Sequence, residues 1–342
     1  MNGRTFGWFV APSVVMMLVF IAFPLVFVFV QSFHATQSVF ETVKVESCTP
    51  GFLGQVCKTE ERSRPKLDAA GQPVRETSFI GLAAYRTVLQ PDAVWAALAP
   101  GGGGWDAVMA VDFYRALRFT LTFTLVTLPA VIGLGLLIAL AVNTMARSLR
   151  GPLIFVSLMP FIVTPVIGAL SIRWLFMGDG ILTAALRWMT GSHISMFAQG
   201  WTIEVLMLVY RVWHVAPFAF VVFYAALQTV SQDALEAALI DGASRFERLR
   251  YVVIPHLKPL IVFVALIHLM DAYRVFDEVV GFSSEAHRIS LQFLTFNLLT
   301  PDQAGNRAVT RASASAMLTM VGVIVLLVPI LARAWREQRG RA

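Results

Sequence analysis

Long runs of apolar residues separated by short polar connections dominate the chain. Six runs are long enough to cross about 30 Å of hydrocarbon as α-helices. They are predicted over residues 8–31, 119–144, 152–176, 203–229, 260–281 and 312–334. The first run is longer than the roughly 7–15 apolar residues of a signal peptide and no A-x-A site follows it, so we expect a retained helix. The pattern predicts an all-α polytopic membrane protein.

The composition favours the same class. Of the 342 residues, 57% are hydrophobic and only 14% are charged, whereas soluble domains carry about 25% charged residues. Much of the positive charge lies beside apolar runs, in residues 245–258 and 333–341. Positive clusters in that position are typical of the membrane surface, so we expect contacts with membrane lipid and no nucleic-acid partner.

The distribution of lysine and arginine predicts the orientation, because cytoplasmic connections carry an excess of both. If six spans alternate, the N-terminus, the 144–151 connection, the 230–259 connection and the C-terminus share one side, which we expect to be cytoplasmic. The predicted divisions are an N-terminal span (1–32), an extended periplasmic loop (33–118), a transmembrane core (119–335) and a basic tail (336–342).

Both cysteines, Cys48 and Cys57, fall in the periplasmic loop. In an oxidising compartment such a pair forms a disulfide that closes a small loop, and the alternative is two free thiols. A zinc site would need further ligands nearby, and the surrounding sequence supplies no cluster of them. We therefore expect no metal.

The most informative polar segment runs from Glu236 to Pro259 and reads EAALIDGASRFERLRYVVIPHLKP. Ser231 and Asp233 are good N-cap types, so a short helix is predicted over 234–241. Gly242 can adopt a positive φ and end it. A second helix is predicted over 244–253, ending before Pro255, where the next span begins.

The small residues of this segment indicate a surface on which another protein docks. Ala237, Ala238 and Ala243 let a partner approach the backbone closely, and Glu236 and Asp241 supply charge for basic residues of that partner. An ordinary amphipathic surface helix would also contain alanines. The D-G-A triplet and the closing I-P-x-x-x-P favour the docking surface.

The segment resembles the EAA loop of permease subunits of ATP-binding-cassette (ABC) importers, whose pattern is E-A-A-x-x-D-G-A followed by P-x-x-x-P. Three other features resemble the carbohydrate branch of that family: FIGLAAY at 79–85, Pro217–Phe218, and RVFD at 274–277. The chain departs from the family in three places. GFSSEAHRIS replaces a glycine-rich turn, Ala84 replaces an asparagine, and the insert at 41–77 is unusual.

The resemblance implies a type I importer permease fold, with residues 231–259 docked in a cleft of an ATPase subunit. The coupling residues it implies are Glu236, Ala237, Ala238, Asp241, Gly242, Ala243 and Pro255. It also implies a second, non-identical permease, two ATPase subunits that bind ATP and Mg, a periplasmic solute-binding protein and a carbohydrate substrate. Consistent with a chain that is no enzyme and holds no cofactor, none of its four lysines follows a glycine, so it contains no P-loop.

Polar residues inside two apolar runs predict the substrate path, because charges at membrane depth usually face the bundle interior or water. In the fifth run, one helical face is predicted to carry His268, Asp271, Ala272 and Val275. In the fourth run, one face carries Arg211, His214 and Phe218. The hypothesis is that the two faces converge on the solute.

Purely structural roles for these residues, such as charge neutralisation or packing, stay open. Arg274 can neutralise Asp271, Asp277 or Glu278 along its own helix, and the last two are expected near the outer interface. A lone histidine or phenylalanine in a bundle is usually packing. The third run contains two prolines and Gly168, which predict a kinked helix without assigned contacts.

Two other functions were weighed against an importer subunit. A secondary transporter could use His268, Asp271 and Arg274 as a proton relay, but it would leave the EAA segment unexplained and usually shows inverted repeats, which are not evident. A membrane enzyme would need a nucleophile motif, a metal-ligand spacing or an acid pair on one face. The sequence shows none of these.

Overall fold

The structure is a computed structural model and describes residues 3–51, 54–66, 68, 74–178, 180–192, 195–302 and 307–339. The chain divides into two compact units. Unit 1 comprises Met1–Gln90 and Leu298–Met317, and unit 2 comprises Pro91–Asn297 and Leu318–Ala342.

Unit 1 begins with a long apolar helix. It consists of α1 (Gly3–Met17), a π-helical turn (Leu18–Ala22) and α2 (Phe23–Gln31). The π turn ends two residues before Pro24, where a regular α-helix would clash with the proline ring and lack a donor. The π turn therefore lets the helix continue through Pro24.

The loop after this helix contains β structure that the apolar pattern did not predict. Strand β1 (His34–Ser38) pairs antiparallel with β4 (Arg75–Phe79), and β2 (Phe40–Gly51) pairs antiparallel with β3 (Gly54–Pro65). The register of the second pair sets Cys48 directly opposite Cys57. The side chains of both cysteines lie outside the described part of the structure, so the disulfide stays a prediction.

The FIGLAAY segment packs against the end of the first helix. The Ile80 amide donates to the Phe33 carbonyl over 2.9 Å, and α3 (Ala83–Leu89) follows at once. The Tyr85 and Ser32 hydroxyls are hydrogen-bonded at 2.8 Å, and the Tyr85 ring lies 5.6 Å from that of Phe33. This segment therefore fixes the loop to the span that precedes it.

After Gln90, helices and short connections make up the described part of the chain. The helices are α4 (Pro91–Leu98), α5 (Gly104–Met109), α6 (Asp112–Thr144), α7 (Arg147–Ile162), α8 (Pro165–Phe176), α9 (Ile181–Thr190), α10 (Gly200–Leu227), α11 (Gln232–Ile240), α12 (Arg245–Arg248), α13 (Ile254–Tyr273), α14 (Asp277–Phe282), α15 (Leu291–Leu299) and α16 (Val309–Arg339). A second π-helical turn, Leu249–Val253, joins α12 to α13.

Five helices of the described chain are long and apolar enough to cross a membrane, and α7 with α8 makes a sixth span if this bent pair is counted as one. The pair bends by 92°. Val163 and Thr164 are both extended there, and the ring of Pro165 disfavours helical backbone at Thr164, the residue before it. The predicted kink in the third span is therefore confirmed as a full break.

The core of unit 2 forms where α6 packs against α10. At Gly135 an added Cβ would lie 2.5 Å from the Ala219 Cβ and 2.9 Å from the Phe220 nitrogen, so only glycine permits this approach. Phe220 and Phe223 are fully buried beside this contact, and Leu257 of α13 joins the same cluster.

Two predicted boundaries around the fifth span are wrong. The helix does not end before Pro255, because the π turn Leu249–Val253 carries it through that proline, as the first π turn does at Pro24. The span does not continue to residue 281 either. It ends at Tyr273, with Arg274 as C-cap, and the short helix α14 follows separately.

Candidate functional site

The polar segment between α10 and α13 forms two short helices joined by a tight turn. The Ser231 hydroxyl accepts from the Ala234 amide, so α11 starts slightly before the predicted residue 234. Gly242 has φ +80°, which confirms the predicted left-handed turn. The Ala243 amide donates to the Ala238 carbonyl and the Gly242 amide to that of Leu239, completing a Schellman motif.

A capping box opens the second short helix, and sequence reasoning missed it. The Ser244 amide donates to a Glu247 carboxylate oxygen over 2.7 Å, and the Glu247 amide donates back to the Ser244 hydroxyl at 3.3 Å. The S-x-x-E signal was present at 244–247. Both helix ends at the turn are therefore satisfied by local hydrogen bonds.

This segment, residues 231–251, presents apolar side chains at its surface. Ile240 is 86% exposed, Phe246 67% and Tyr251 70%. Glu236, Ala237 and Asp241 are exposed among them, while Ala238 and Ala243 are half-buried. Exposed apolar side chains surrounded by polar ones mark surfaces for protein partners. We call residues 231–251 the coupling segment.

A second constellation lies where α10, α13 and α14 meet. The Arg211 guanidinium donates to the Glu278 carboxylate over 2.7 Å and also to the Asp271 carboxylate. Arg211 and Glu278 are only 4% and 1% exposed, whereas the Asp271 side chain is 64% exposed. We call these three residues the ion-pair cluster.

The ion-pair cluster corrects one expectation about the acids of the fifth run. Glu278 is almost wholly buried among other side chains, and its expected place near an outer interface stays a prediction. The cation that pairs with Asp271 and Glu278 is Arg211 of α10 rather than Arg274. Arg274 is the exposed residue at which α13 ends, so the chain turns away before a helical pairing can form.

The other residues of the predicted path occupy different surroundings. Ala272 and Val275 are buried in an apolar cluster with Phe119 and Phe123. Val275 lies beyond the last residue of α13, so it does not share a helical face with His268. His268 is buried and its Nε2 lies 3.0 Å from the Thr127 hydroxyl. Of the four residues predicted for the fifth-span face, only Asp271 is both polar and exposed.

The fourth-span face contacts the bent span in two places. The Nε2 atom of His214 lies 2.9 Å from the Val163 carbonyl, at the break itself. The Phe218 ring stacks on Phe161, with centroids 6.0 Å apart. On the face carrying Arg211, His214 and Phe218, it is Arg211 that hydrogen-bonds a residue of the predicted fifth-span path, Asp271.

Tyr210 also supports the break. Its hydroxyl donates to the Pro165 carbonyl over 2.7 Å. Gly168 makes room, since an added Cβ there would lie 2.4 Å from the Tyr210 hydroxyl oxygen. These contacts hold the bent span in place from α10. Within the described residues, no group of three or more His, Cys, Asp or Glu side chains could hold a metal ion.

Comparison with known protein families assigns the chain to a family of transport proteins. Residues 102–337, more than half of the chain, match the family described as "Binding-protein-dependent transport system inner membrane component". The chain therefore belongs to this family of inner-membrane transport components. Membership confirms the predicted multi-pass permease class and a role in transport rather than catalysis, and it makes the proton-relay transporter wrong.

Relatives and solved structures agree. The chain is 29% identical over 265 residues to the trehalose/maltose permease protein MalF of Thermococcus litoralis, covering 73% of this chain and 78% of the relative. It is 25% identical over 280 residues to the arabinooligosaccharide permease protein AraP of Bacillus subtilis, covering 79% and 69%. It is 26% identical over 221 residues to the lactose permease protein LacF of Rhizobium radiobacter, covering 64% and 73%.

Among solved structures, the chain resembles a bacterial ABC transporter involved in the import of the acidic polysaccharide alginate. The TM-score is 0.58 at 20% identity, over 72% of this chain and 88% of that one. The alginate transporter in complex with its pentasaccharide-bound periplasmic protein gives a TM-score of 0.56 at 19% identity, over 73% and 93%. These likenesses confirm the predicted importer permease fold.

Proposed function

We propose that this chain is a transmembrane permease subunit of an ATP-driven importer for a carbohydrate-type solute: a sugar, glycoside, polyol or sugar derivative. Three curated relatives are named as permeases for trehalose/maltose, arabinooligosaccharides and lactose, which supports that substrate class. ATP and Mg bind to separate ATPase subunits. Translocation proceeds by alternating access between two states whose populations the ATPases shift.

The observation that carries the proposal is the geometry of the coupling segment. Its Schellman turn at Gly242 and its capping box at Ser244 fix the turn between the two short helices by local hydrogen bonds. Its apolar side chains are exposed, and Glu236 stands among them. Two short helices with exposed apolar side chains, continuous with α13, are suited to bind an ATPase subunit and to transmit its movement to the membrane helix.

The proposed assembly contains a second, non-identical permease, two ATPase subunits and a periplasmic solute-binding protein. The family description supports the binding protein directly. Both termini and the coupling segment lie on the cytoplasmic side in this proposal. The supporting observation is that the arginines of the 144–151 connection and of residues 245–250 fall on one side if the spans alternate.

Asp271 is the residue proposed to contact the solute. It is the exposed member of the ion-pair cluster and lies two residues from the end of α13. A carboxylate there accepts hydrogen bonds from hydroxyl groups, and charge-assisted hydrogen bonds are the stronger kind. Arg211 holds the carboxylate in position.

The test is Glu236→Lys in the purified assembly, with Gln232→Lys as the matched control on the same helix. Both positions are exposed, so neither change disturbs packing. Glu236→Lys is expected to abolish stimulation of ATP hydrolysis by the solute-loaded binding protein, while the chain still inserts in the membrane. Gln232→Lys is expected to leave stimulation intact. Equal, undiminished stimulation in both variants would contradict the proposal.

A further inference from the structure

The ion-pair cluster contains two carboxylates and one guanidinium. Both carboxylates, of Asp271 and Glu278, contact Arg211, so the cluster contains one more acidic than basic side chain, a formal surplus of one negative charge. Resting on the proposed function, we propose that the transported solute is uncharged and rich in hydroxyl groups, and that Asp271 excludes anionic counterparts such as uronic acids.

Burial determines which charge a solute meets. Arg211 is 4% exposed, and its two terminal nitrogens are already engaged, one by Glu278 and the other by Asp271. The Glu278 carboxylate is buried behind it. A solute approaching this end of α13 therefore reaches the Asp271 carboxylate first, and finds no free guanidinium face in the cluster.

The charged and titratable groups around the cluster do not reverse its sign. His214 and His268 are buried, and the Nε2 of each is engaged by the Val163 carbonyl and the Thr127 hydroxyl. Arg274, exposed where α13 ends, is offset in the net charge by the half-buried Asp277 at the start of α14. The surplus negative charge therefore remains at Asp271.

The chemistry favours one class of solute over its charged analogue. Hydroxyl hydrogens of a neutral sugar can donate to the exposed carboxylate oxygens. A uronic acid would bring a second carboxylate toward the first, and like charges in a partly desolvated site repel strongly. Selectivity by a placed repulsive charge is a general route to discrimination between similar ligands.

The experiment compares uptake into proteoliposomes that contain the complete importer. The probes are radiolabelled trehalose, maltose and lactose, each beside its counterpart in which one CH₂OH is a carboxylate. The wild type, Asp271→Asn, Asp271→Glu and Glu285→Gln are compared. Because every variant uses the same binding protein, a change in the ratio of neutral to acidic uptake belongs to this chain.

The wild type is expected to prefer the neutral sugar. Asp271→Asn is expected to raise its apparent KM and lower the neutral-to-acid ratio about tenfold, since the hydrogen bond to the solute loses its charge and the repulsion of a second carboxylate is removed. Asp271→Glu and Glu285→Gln, the latter at an exposed acid outside the cluster, are expected to keep the preference.

Three results would overturn the inference. A wild type that prefers the acidic sugar would contradict it. So would an Asp271→Asn variant that assembles normally and keeps the wild-type ratio, because a merely structural acid would give that outcome. Failure of the wild type to take up any neutral sugar in the presence of ATP would instead contradict the proposed function, and this inference with it.

Discussion

Arg211 and Glu278 form a 2.7 Å ion pair with both side chains almost fully buried, and the pair joins α10 to α14, just after the break that ends α13. Helix α13 ends at Tyr273 with no proline or glycine nearby, so tertiary pairing rather than a helix-breaking residue accounts for the geometry. Arg211 connects α10 to both sides of the break, through Asp271 before it and Glu278 after it.

Removal of the buried acid is expected to destabilise this junction. Glu278→Ala leaves the Asp271 pair but removes the acceptor of the buried Arg211 Nη1, and an unsatisfied buried donor on a charged group costs about 1–3 kcal/mol or more. The measurement is the thermal unfolding midpoint of the chain in detergent. The control is Glu285→Ala, an exposed glutamate on the following turn. Matching midpoints for the two variants would show that the pair contributes nothing to stability.

The close approach of α6 to α10 depends on a missing side chain. Gly135→Ala places a methyl group 2.5 Å from the Ala219 Cβ and against the α10 backbone, so the helices must separate, at an expected cost of about 1–3 kcal/mol. Gly133→Ala meets nothing within 4 Å and is the matched control on the same helix. Unfolding by urea or heat in detergent should show that Gly133→Ala is clearly more stable than Gly135→Ala. The reverse order would refute the packing argument.

The turn of the coupling segment requires a left-handed residue. Gly242 has φ +80° and no atom within 4 Å of an added Cβ, so Gly242→Ala introduces backbone strain alone, about 1–2 kcal/mol. Weaker retention of the ATPase subunits during purification is expected. Gly151→Ala, which also meets nothing within 4 Å but lies within α7, should retain them normally. Equal retention in the two variants would show that ATPase binding does not depend on the turn at Gly242.

The two cysteines are predicted to form a disulfide across β2 and β3. Directly opposed residues of an antiparallel pair have Cα atoms about 4.5–5.5 Å apart, which lies within the disulfide range, and Cys48 is directly opposite Cys57. Maleimide labelling of the unfolded chain should modify both thiols only after reduction. Labelling without reductant would show that the thiols are free and would contradict the prediction. The control is Cys48→Ser, which should show one reactive thiol with or without reductant.

Local signals were readable from the sequence, and tertiary ones were not. The turn at Gly242 and the break at Pro165 follow from residues whose backbone limits act within a few positions. The capping box at Ser244 was equally local and was overlooked. The continuation through Pro255 escaped prediction because it depends on a π turn, for which no residue type is diagnostic.

The ion-pair cluster shows the other limit. Helical spacing suggested that Arg274 would neutralise the acids of the fifth span, but that argument holds only while the helix continues. The helix ends at Tyr273, and Arg211, at least 60 positions earlier, supplies the positive charge. A pairing across that distance follows from how α10 packs, which a single sequence does not reveal.

The measurement that tests the central claim most directly is uptake of radiolabelled neutral sugar into proteoliposomes, comparing ATP supply with an imposed proton gradient. The account predicts uptake only when the ATPase subunits, the binding protein and ATP are all present, and loss of that uptake in Glu236→Lys. Uptake by the purified chain alone, driven by the proton gradient without ATP, would contradict the account.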